Sequence, residues 1–262
     1  GGRAVMPLAL SLEWLFPGAI HENPGLVLGG AEDVRVLSPV AIDEDTPADV
    51  VVLAGEPRPE GGVLVVESEL RRLAAGRSIP CVRARVVLAD SRPAAPAPRL
   101  VAPSGAYSLD CETSYRERLF HGPDLQAIVA IEGCDRHGIA ARVHTAPAPS
   151  TWMKKPLRSA WLADPLVLDA AFQLLILWCR EVRGAPSLPT GLAALRQHRP
   201  FPAVEIRVVA RITSAAAGKV AADLEFVDSA GRLVASIDGY ECVVDPLLET
   251  RFRQELAPAA AQ

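Results

Sequence analysis

Residues 165–182, PLVLDAAFQLLILWCREV, are strongly apolar and have the length of a buried helix rather than of a strand. Two polar residues, Asp169 and Gln173, interrupt the apolar run. Their separation of four positions places them one turn apart on the same face of a helix. The segment therefore predicts a mostly buried helix that carries a carboxyl and an amide side by side.

Much of the remaining chain consists of short β-branched runs separated by Gly, Pro and Asp, a pattern typical of antiparallel sheet. A second helix is expected within residues 6–20 and is ended by Pro24-Gly25. Each half of the chain then holds one mostly buried helix and several strands, and the predicted fold class is α+β. Strands are expected at 26–30, 33–37, 50–54, 62–67, 81–89, 126–132, 138–145, 204–213, 219–227, 232–238 and 240–244, with hairpin turns at 217–218 and 228–231.

A stretch rich in Pro and Ala, DSRPAAPAPRLVAPSGA, separates the two halves. Such a composition predicts a semi-stiff linker without regular secondary structure. The expected division is an N-terminal half at 1–89, the linker at 90–106, a C-terminal half at 107–254 and a tail at 255–262.

The composition argues against several functional classes. A net charge of −4 and a pI near 5.8 argue against a nucleic-acid-binding protein, which usually presents a basic face. The five cysteines are widely spread and form no CxxC pair, which favours reduced thiols over disulfides or a zinc site. We expect a cytoplasmic protein, because no cleavage pattern or membrane-length apolar stretch is visible. The start, without Met, reads as a chain entered midway.

Asp169 is the first candidate for chemistry. Desolvation raises the pKa of a buried carboxyl, so such a residue stays protonated near neutral pH and can serve as a general acid. The Gln173 amide is placed to orient it. Two structural alternatives remain open from the helix pattern: Asp169 caps a neighbouring backbone group, or the pair lies on a solvated stripe.

His121 is the second candidate. It lies in the segment YRERLFHGPDLQ (115–126), directly before a turn forced by Gly122-Pro123. A histidine at this place can act as a base, but it is more often a hydrogen-bonded turn residue. We interpret His121 as a turn residue on these grounds.

Together these segments resemble the dehydratase domains of bacterial modular (type I) polyketide and polyunsaturated-fatty-acid synthases. The resemblance covers nearly the whole chain, and its order along the chain matches too. Thr190 stands where the family's LPF-type motif has Phe. The matching blocks are LDAAFQ (168–173) with the DxxxQ/H signature, FHGPDLQ (120–126) with FHGPxxQ after Tyr115, LPT (188–190) with the LPF-type motif, and Gly2-x4-Pro7 with the end of HxxxGxxxxP.

The resemblance implies a double hot-dog fold, in which two tandem subdomains each wrap an antiparallel sheet around a central helix, with the first hot dog incomplete. The family's catalytic histidine would lie four residues before Gly2, upstream of Gly1 and so off the start of this chain. This chain alone is therefore expected to be inactive. The histidines at 21, 137, 144 and 198 are interpreted as surface or structural residues.

The implied reaction is dehydration of a 3-hydroxyacyl thioester carried on the phosphopantetheine of an acyl carrier protein. The absent histidine would remove the C2 proton, and Asp169, facing an apolar tunnel and oriented by Gln173, would protonate the departing C3 hydroxyl. Gly2 is a candidate donor to the thioester carbonyl. The residues implied to bind substrate are Gly2, Pro7, Tyr115, Phe120, His121, Gly122, Pro123, Leu188 and Pro189.

The expected partners are the acyl carrier protein and neighbouring synthase domains, and a homodimer is compatible with the resemblance. No cofactor, metal, nucleic acid or membrane is expected. Three alternatives stay open: a double-bond isomerase or pyran-forming variant, a catalytically inactive scaffold that binds carrier protein, and a free hot-dog thioesterase or hydratase.

Overall fold

The computed structural model describes residues 4–42, 47–74 and 76–248. The first half contains one helix among short and long strands. Its elements are β1 (Ala4–Val5), α1 (Leu8–His21), β2 (Val27–Val36), β3 (Ala41–Ile42), β4 (Asp49–Ala54), β5 (Arg58–Glu60), β6 (Val63–Ala74) and β7 (Arg77–Ala89).

The second half repeats this plan with additional helical turns. Its elements are α2 (Cys111–Glu117), a 3-10 turn (Pro123–Leu125), β8 (Ile128–Asp135), β9 (Gly138–Val143), α3 (Pro149–Trp152), α4 (Pro165–Trp178), a π-helical turn (Cys179–Arg183), β10 (Ser187–Gln197), β11 (Ile206–Ala216), β12 (Lys219–Val227) and β13 (Leu233–Val244). Among the described residues, no helix combines the length and apolar character needed to cross a membrane.

One continuous antiparallel sheet of 11 strands runs through both halves in the order β4-β6-β7-β2-β10-β13-β12-β11-β9-β8, with β5 pairing with β6. The halves join where β2 pairs with β10. The two backbones come so close there that a Cβ on Gly30, whose φ is +147°, would lie 1.8 Å from the Leu195 carbonyl oxygen. Glycine is therefore required at this position.

The two long helices occupy the core and pack against each other. Helix α1 contacts strands β2, β4, β6 and β7, and helix α4 contacts β9, β10 and β11. Every residue of α4 is buried, including Asp169 and Gln173. The predicted arrangement of two similar halves, each with one central helix and antiparallel strands, is confirmed.

Several predicted elements differ in detail. The runs at 26–30 and 33–37 form a single strand, β2. Asp33 has a positive φ at an irregularity within this strand, and the pairing with β7 resumes at Arg35. The runs at 232–238 and 240–244 likewise form one strand, β13. The helix predicted over 165–182 is present, but its last turn, from Cys179 to Arg183, is π-helical. Helix α2 and strand β10 were not predicted.

The Pro/Ala-rich segment contains no helix or strand, as expected, but it is anchored to the sheet. The Glu225 carboxylate on β12 accepts hydrogen bonds from the backbone N–H groups of Arg99 and Leu100, each at 2.9 Å. The Gly105 carbonyl accepts a hydrogen bond from the Cys134 N–H at 2.7 Å. The segment therefore has fixed contacts with the second half. The domain boundaries stay a prediction, and the tail at 255–262 lies outside the described residues.

Candidate active site

Asp169 lies in the second turn of α4 with only 4% of its surface exposed. The helix begins at Pro165, whose fixed φ suits a first turn, after an N-cap aspartate whose carboxylate accepts from the Val167 N–H at 3.0 Å. Apolar residues on all sides of the helix pull it into the core. The sequence thereby forces a carboxyl into surroundings that lack water.

A chain of hydrogen bonds fixes the orientation of Gln173. The Ile128 N–H donates to the Tyr115 hydroxyl at 3.0 Å, so that hydroxyl must direct its own proton elsewhere. It lies 2.9 Å from Gln173 Oε1 and donates to it. Gln173 Nε2 then donates to the Leu125 carbonyl at 2.9 Å and to Asp169 Oδ2 at 2.7 Å. Asp169 Oδ2 is therefore a hydrogen-bond acceptor.

Burial raises the pKa of Asp169 to about 7, and the hydrogen bond from Gln173 partly opposes this rise. A substantial fraction of the carboxyl is therefore protonated near neutral pH, which a general acid requires. Tyr115 and Tyr240 lie near this carboxyl, and burial raises the pKa of both phenols, so neither adds a charge beside it.

The position of the His121 side chain was not predicted from the sequence. Its side chain is 8% exposed, its ring stacks on Phe120 with centroids 4.5 Å apart, and its Nε2 lies 3.7 Å from Asp169 Oδ2. Burial lowers the pKa of His121 to about 4, so the imidazole is neutral. Nδ1 is buried and has no hydrogen-bond partner among the described residues. His121 does lie directly before the turn, where its carbonyl accepts a hydrogen bond from Gln126 Nε2 at 3.1 Å, but its ring lies against Asp169 on α4 and not on the turn.

The expected apolar tunnel at Asp169 also needs correction. In the part of the chain that the structure describes, the carboxyl is covered rather than open, since His121 lies against it and both side chains are almost fully buried. A cavity of about 120 Å³ lies elsewhere, beside the linker residues Arg99 and Leu100, and its lining includes none of the predicted site residues.

The other predicted site residues fall into two groups. Gly122 precedes, and Pro123 begins, the 3-10 turn that presents the Leu125 carbonyl to Gln173, so both support the site. Pro7 precedes helix α1, and its carbonyl accepts hydrogen bonds from Ser11.

Leu188 and Pro189 form the start of β10, where they pair with β13. No hydrogen bond or ring contact joins either of these two residues to Asp169, and their substrate-binding role stays a prediction. Gly1 and Gly2 lie outside the described residues. The expectation that the catalytic histidine precedes Gly1, and the proposed donor role of Gly2, therefore stay predictions too.

Besides Glu225, two buried carboxyls among the described residues were not predicted from the sequence. Glu13 in α1 accepts hydrogen bonds from the N–H groups of Leu162 and Ala163 at 2.7 and 2.9 Å, and burial raises its pKa to about 7. Asp164 caps α4 with a φ of +42°, and burial raises its pKa to about 6. An Asp-Pro pair before an apolar run is a helix-start signal that would have found Asp164. The sequence carries no comparable signal for the partners of Glu13.

This chain belongs to the polyketide synthase dehydratase family. The family model described as "Polyketide synthase dehydratase N-terminal domain" matches residues 90–244, more than half of the chain. The predicted resemblance is thereby confirmed. Among curated proteins, the chain is similar to a polyunsaturated fatty acid synthase subunit from Thraustochytrium sp. (strain ATCC 26185 / S-3), with 28% identity over 207 residues. That match covers 77% of this chain and 7% of the relative.

Solved structures share the fold. The dehydratase domain from the CurF module of the curacin polyketide synthase superposes with a TM-score of 0.74 at 17% identity, covering 93% of this chain and 86% of that one. A trans-AT polyketide synthase dehydratase domain from Brevibacillus brevis gives a TM-score of 0.73 at 20% identity, with the same coverage of 93% and 86%. The fold is thus the double hot dog of these dehydratases, as predicted.

Proposed function

We propose that this chain, within a larger synthase, dehydrates a 3-hydroxyacyl thioester carried on the phosphopantetheine of an acyl carrier protein and yields the 2-enoyl thioester. The observation that carries the proposal is the state of Asp169: a buried carboxyl whose Oδ2 accepts from Gln173 and whose Oδ1 accepts from none of the described residues. This leaves Oδ1 as the atom that holds a transferable proton.

In the proposed reaction, a base removes the proton at C2 and the freed electron pair forms the C2=C3 double bond. The C3–O bond breaks, and the hydroxyl leaves as water with the proton from Asp169 Oδ1. The family resemblance assigns the base to a histidine preceding Gly1. Because the step is an elimination that needs only an acid and a base, the proposal includes no redox cofactor or metal.

The resemblance implies that the acyl chain and pantetheine arm lie against the predicted binding residues. Of these, His121 lies beside Asp169, Phe120 stacks on His121, and Tyr115 donates to Gln173. The proposed partners are the acyl carrier protein and neighbouring synthase domains, with pairing to a second copy as a further proposal. The free thiols of Cys81, Cys111, Cys134, Cys179 and Cys242 support a reducing compartment such as the cytoplasm.

The test is the Asp169→Asn variant of the complete domain, supplied with a 3-hydroxyacyl carrier protein and followed by mass spectrometry for loss of water. Asn preserves the size of the side chain and cannot donate a carboxylic proton, so turnover is expected to fall by about 10²–10⁴-fold while the fold stays intact. Asp90→Asn, directly after β7 and outside the site, is the control. Dehydration by Asp169→Asn at near the wild-type rate would refute the assignment. Loss of water that gives a product other than the 2-enoyl thioester, separated by chromatography from an authentic standard of the same mass, would indicate isomerisation or ring closure instead.

A further inference from the structure

We propose that His121 is a positioning residue for Asp169: its Nε2–H donates to Asp169 Oδ2 beside Gln173 and so keeps the acidic proton on Oδ1. This inference rests on the proposed role of Asp169 as the acid. It gives His121 a function that acts through the acid, beyond its predicted contact with the substrate.

The two groups are neighbours, although their separation is longer than a hydrogen bond. His121 Nε2 lies 3.7 Å from Asp169 Oδ2, with both side chains more than nine-tenths buried. The stacked Phe120 ring holds the imidazole over the carboxyl. The usual range for such a hydrogen bond is about 2.7–3.2 Å, so the proposal requires the two atoms to approach by at least about 0.5 Å.

The hydrogen-bond chain decides which atom donates. A neutral imidazole has one N–H and one acceptor nitrogen. Asp169 Oδ2 already accepts from Gln173, whose amide orientation is fixed by Tyr115. Nε2 is therefore attracted to Oδ2 when it carries the proton. Nδ1 then holds a lone pair, consistent with its lack of a partner among the described residues.

Donation from His121 changes the acid strength of Asp169. Once Oδ1 has released its proton, the negative charge is stabilised by two N–H donors instead of one. Among the described residues, the other ionisable groups that interact with the carboxyl are Tyr115 on α2 and Tyr240 on β13. Phenols are uncharged at neutral pH, and burial raises the pKa of both further. The acidity of Asp169 therefore depends on Gln173 and His121.

Three substitutions separate a hydrogen-bonding role from a packing role. In His121→Gln, the amide nitrogen takes the place of Nε2 and keeps the donor. In His121→Phe, the ring volume and the stacking on Phe120 are kept but the donor is lost. In His121→Asn, the shorter side chain places its nitrogen near the position of Nδ1, out of reach of Asp169 Oδ2.

The primary measurement is an NMR titration of the Asp169 carboxyl carbon in the 262-residue chain, which requires no turnover. His121→Phe and His121→Asn are expected to lower the acid dissociation constant of Asp169 by about tenfold, equivalent to one pKa unit, and His121→Gln to change it by less than about threefold. Turnover of the complete domain should follow the same order, with most activity kept by His121→Gln. Thermal denaturation checks that each variant folds.

Two results would overturn the proposal. Wild-type acidity and turnover in His121→Phe, with losses in His121→Gln, would mean that His121 acts by ring packing. An unchanged Asp169 titration in all three variants, with turnover lost in each, would mean that His121 itself carries a proton. If Asp169→Asn stays active, the proposed function fails, whereas the titration still reports whether His121 donates to Asp169.

Discussion

The two central helices each bury one acidic residue near the middle of the molecule, Glu13 in α1 and Asp169 in α4, yet the two carboxyls are bound in opposite ways. Burial raises the pKa of both to about 7. Both oxygens of Glu13 accept backbone N–H groups from the segment that leads into α4. Asp169 accepts one side-chain N–H, on Oδ2.

This difference is the one expected between a structural carboxyl and the general acid that we propose. Glu13 ties the first half to the start of α4, and its hydrogen-bonding capacity is used by the fold. Asp169 Oδ1 accepts no hydrogen bond from the described residues, and it is the oxygen to which the proposed function assigns the transferable proton. A raised pKa marks both residues equally, so the pKa alone does not identify a catalytic acid; the partners of each oxygen do.

The largest expected effect on stability comes from removing the structural carboxyl. Glu13→Ala leaves the N–H groups of Leu162 and Ala163 without acceptors, and the free energy of unfolding should fall by about 3 kcal/mol. Asp169→Asn should change it by less than about 1 kcal/mol, because the Asn carbonyl still accepts from Gln173 and no charge is buried. Urea denaturation of both variants measures this. A larger loss in Asp169→Asn than in Glu13→Ala would reverse the comparison.

The pH dependence of stability sharpens the comparison. Unfolded carboxyls titrate near pH 4, whereas folded Glu13 and Asp169 titrate at about 7, so the folded state retains protons that the unfolded state has lost. Stability should therefore fall as the pH rises from about 5 to 7, by up to about 1.4 kcal/mol per pH unit for each group. Burial raises the pKa of Asp164 to about 6, so this residue adds to the fall in stability at the lower pH values of this range.

The two carboxyls should contribute to this slope in different ways. Asp169→Asn should make it shallower with little loss of stability at pH 5. Glu13→Gln should also make it shallower but lower stability at every pH, because one amide oxygen replaces two acceptors. Denaturation curves at several pH values distinguish these patterns. A slope unaltered by either substitution would contradict the raised pKa values.

The smallest expected effect on turnover comes from Tyr115, which is connected to Asp169 through Gln173. Tyr115→Phe removes the donor to Gln173 and the acceptor for the Ile128 N–H, and should cost about 1 kcal/mol of stability and lower turnover several-fold. Tyr107→Phe removes a hydroxyl that accepts from Arg118, outside the Asp169 chain of hydrogen bonds, and serves as the control. Equal turnover in the two variants would show that Tyr115 does not act on Asp169.

Local sequence patterns predicted several helices, strands and turns of this protein. The apolar run with polar residues four positions apart predicted α4 and the hydrogen-bonded pair Asp169 and Gln173, since helical periodicity places such residues together whatever surrounds the helix. The hairpin turns at 217–218 and 228–231 were predicted for the same reason, because their residues meet within one turn. The motif blocks then indicated the family.

Tertiary structure decided what depends on distant segments. Strand β10 pairs with β2 and β13, far apart in sequence, and its pattern alone did not mark it as a strand. The partners of Glu13 are about 150 residues away, and His121 meets Asp169 only after α2 and the 3-10 turn fold onto α4. Such contacts follow from the packing of whole elements, because the free energy that forms them comes from burying distant apolar surfaces together rather than from any local sequence preference.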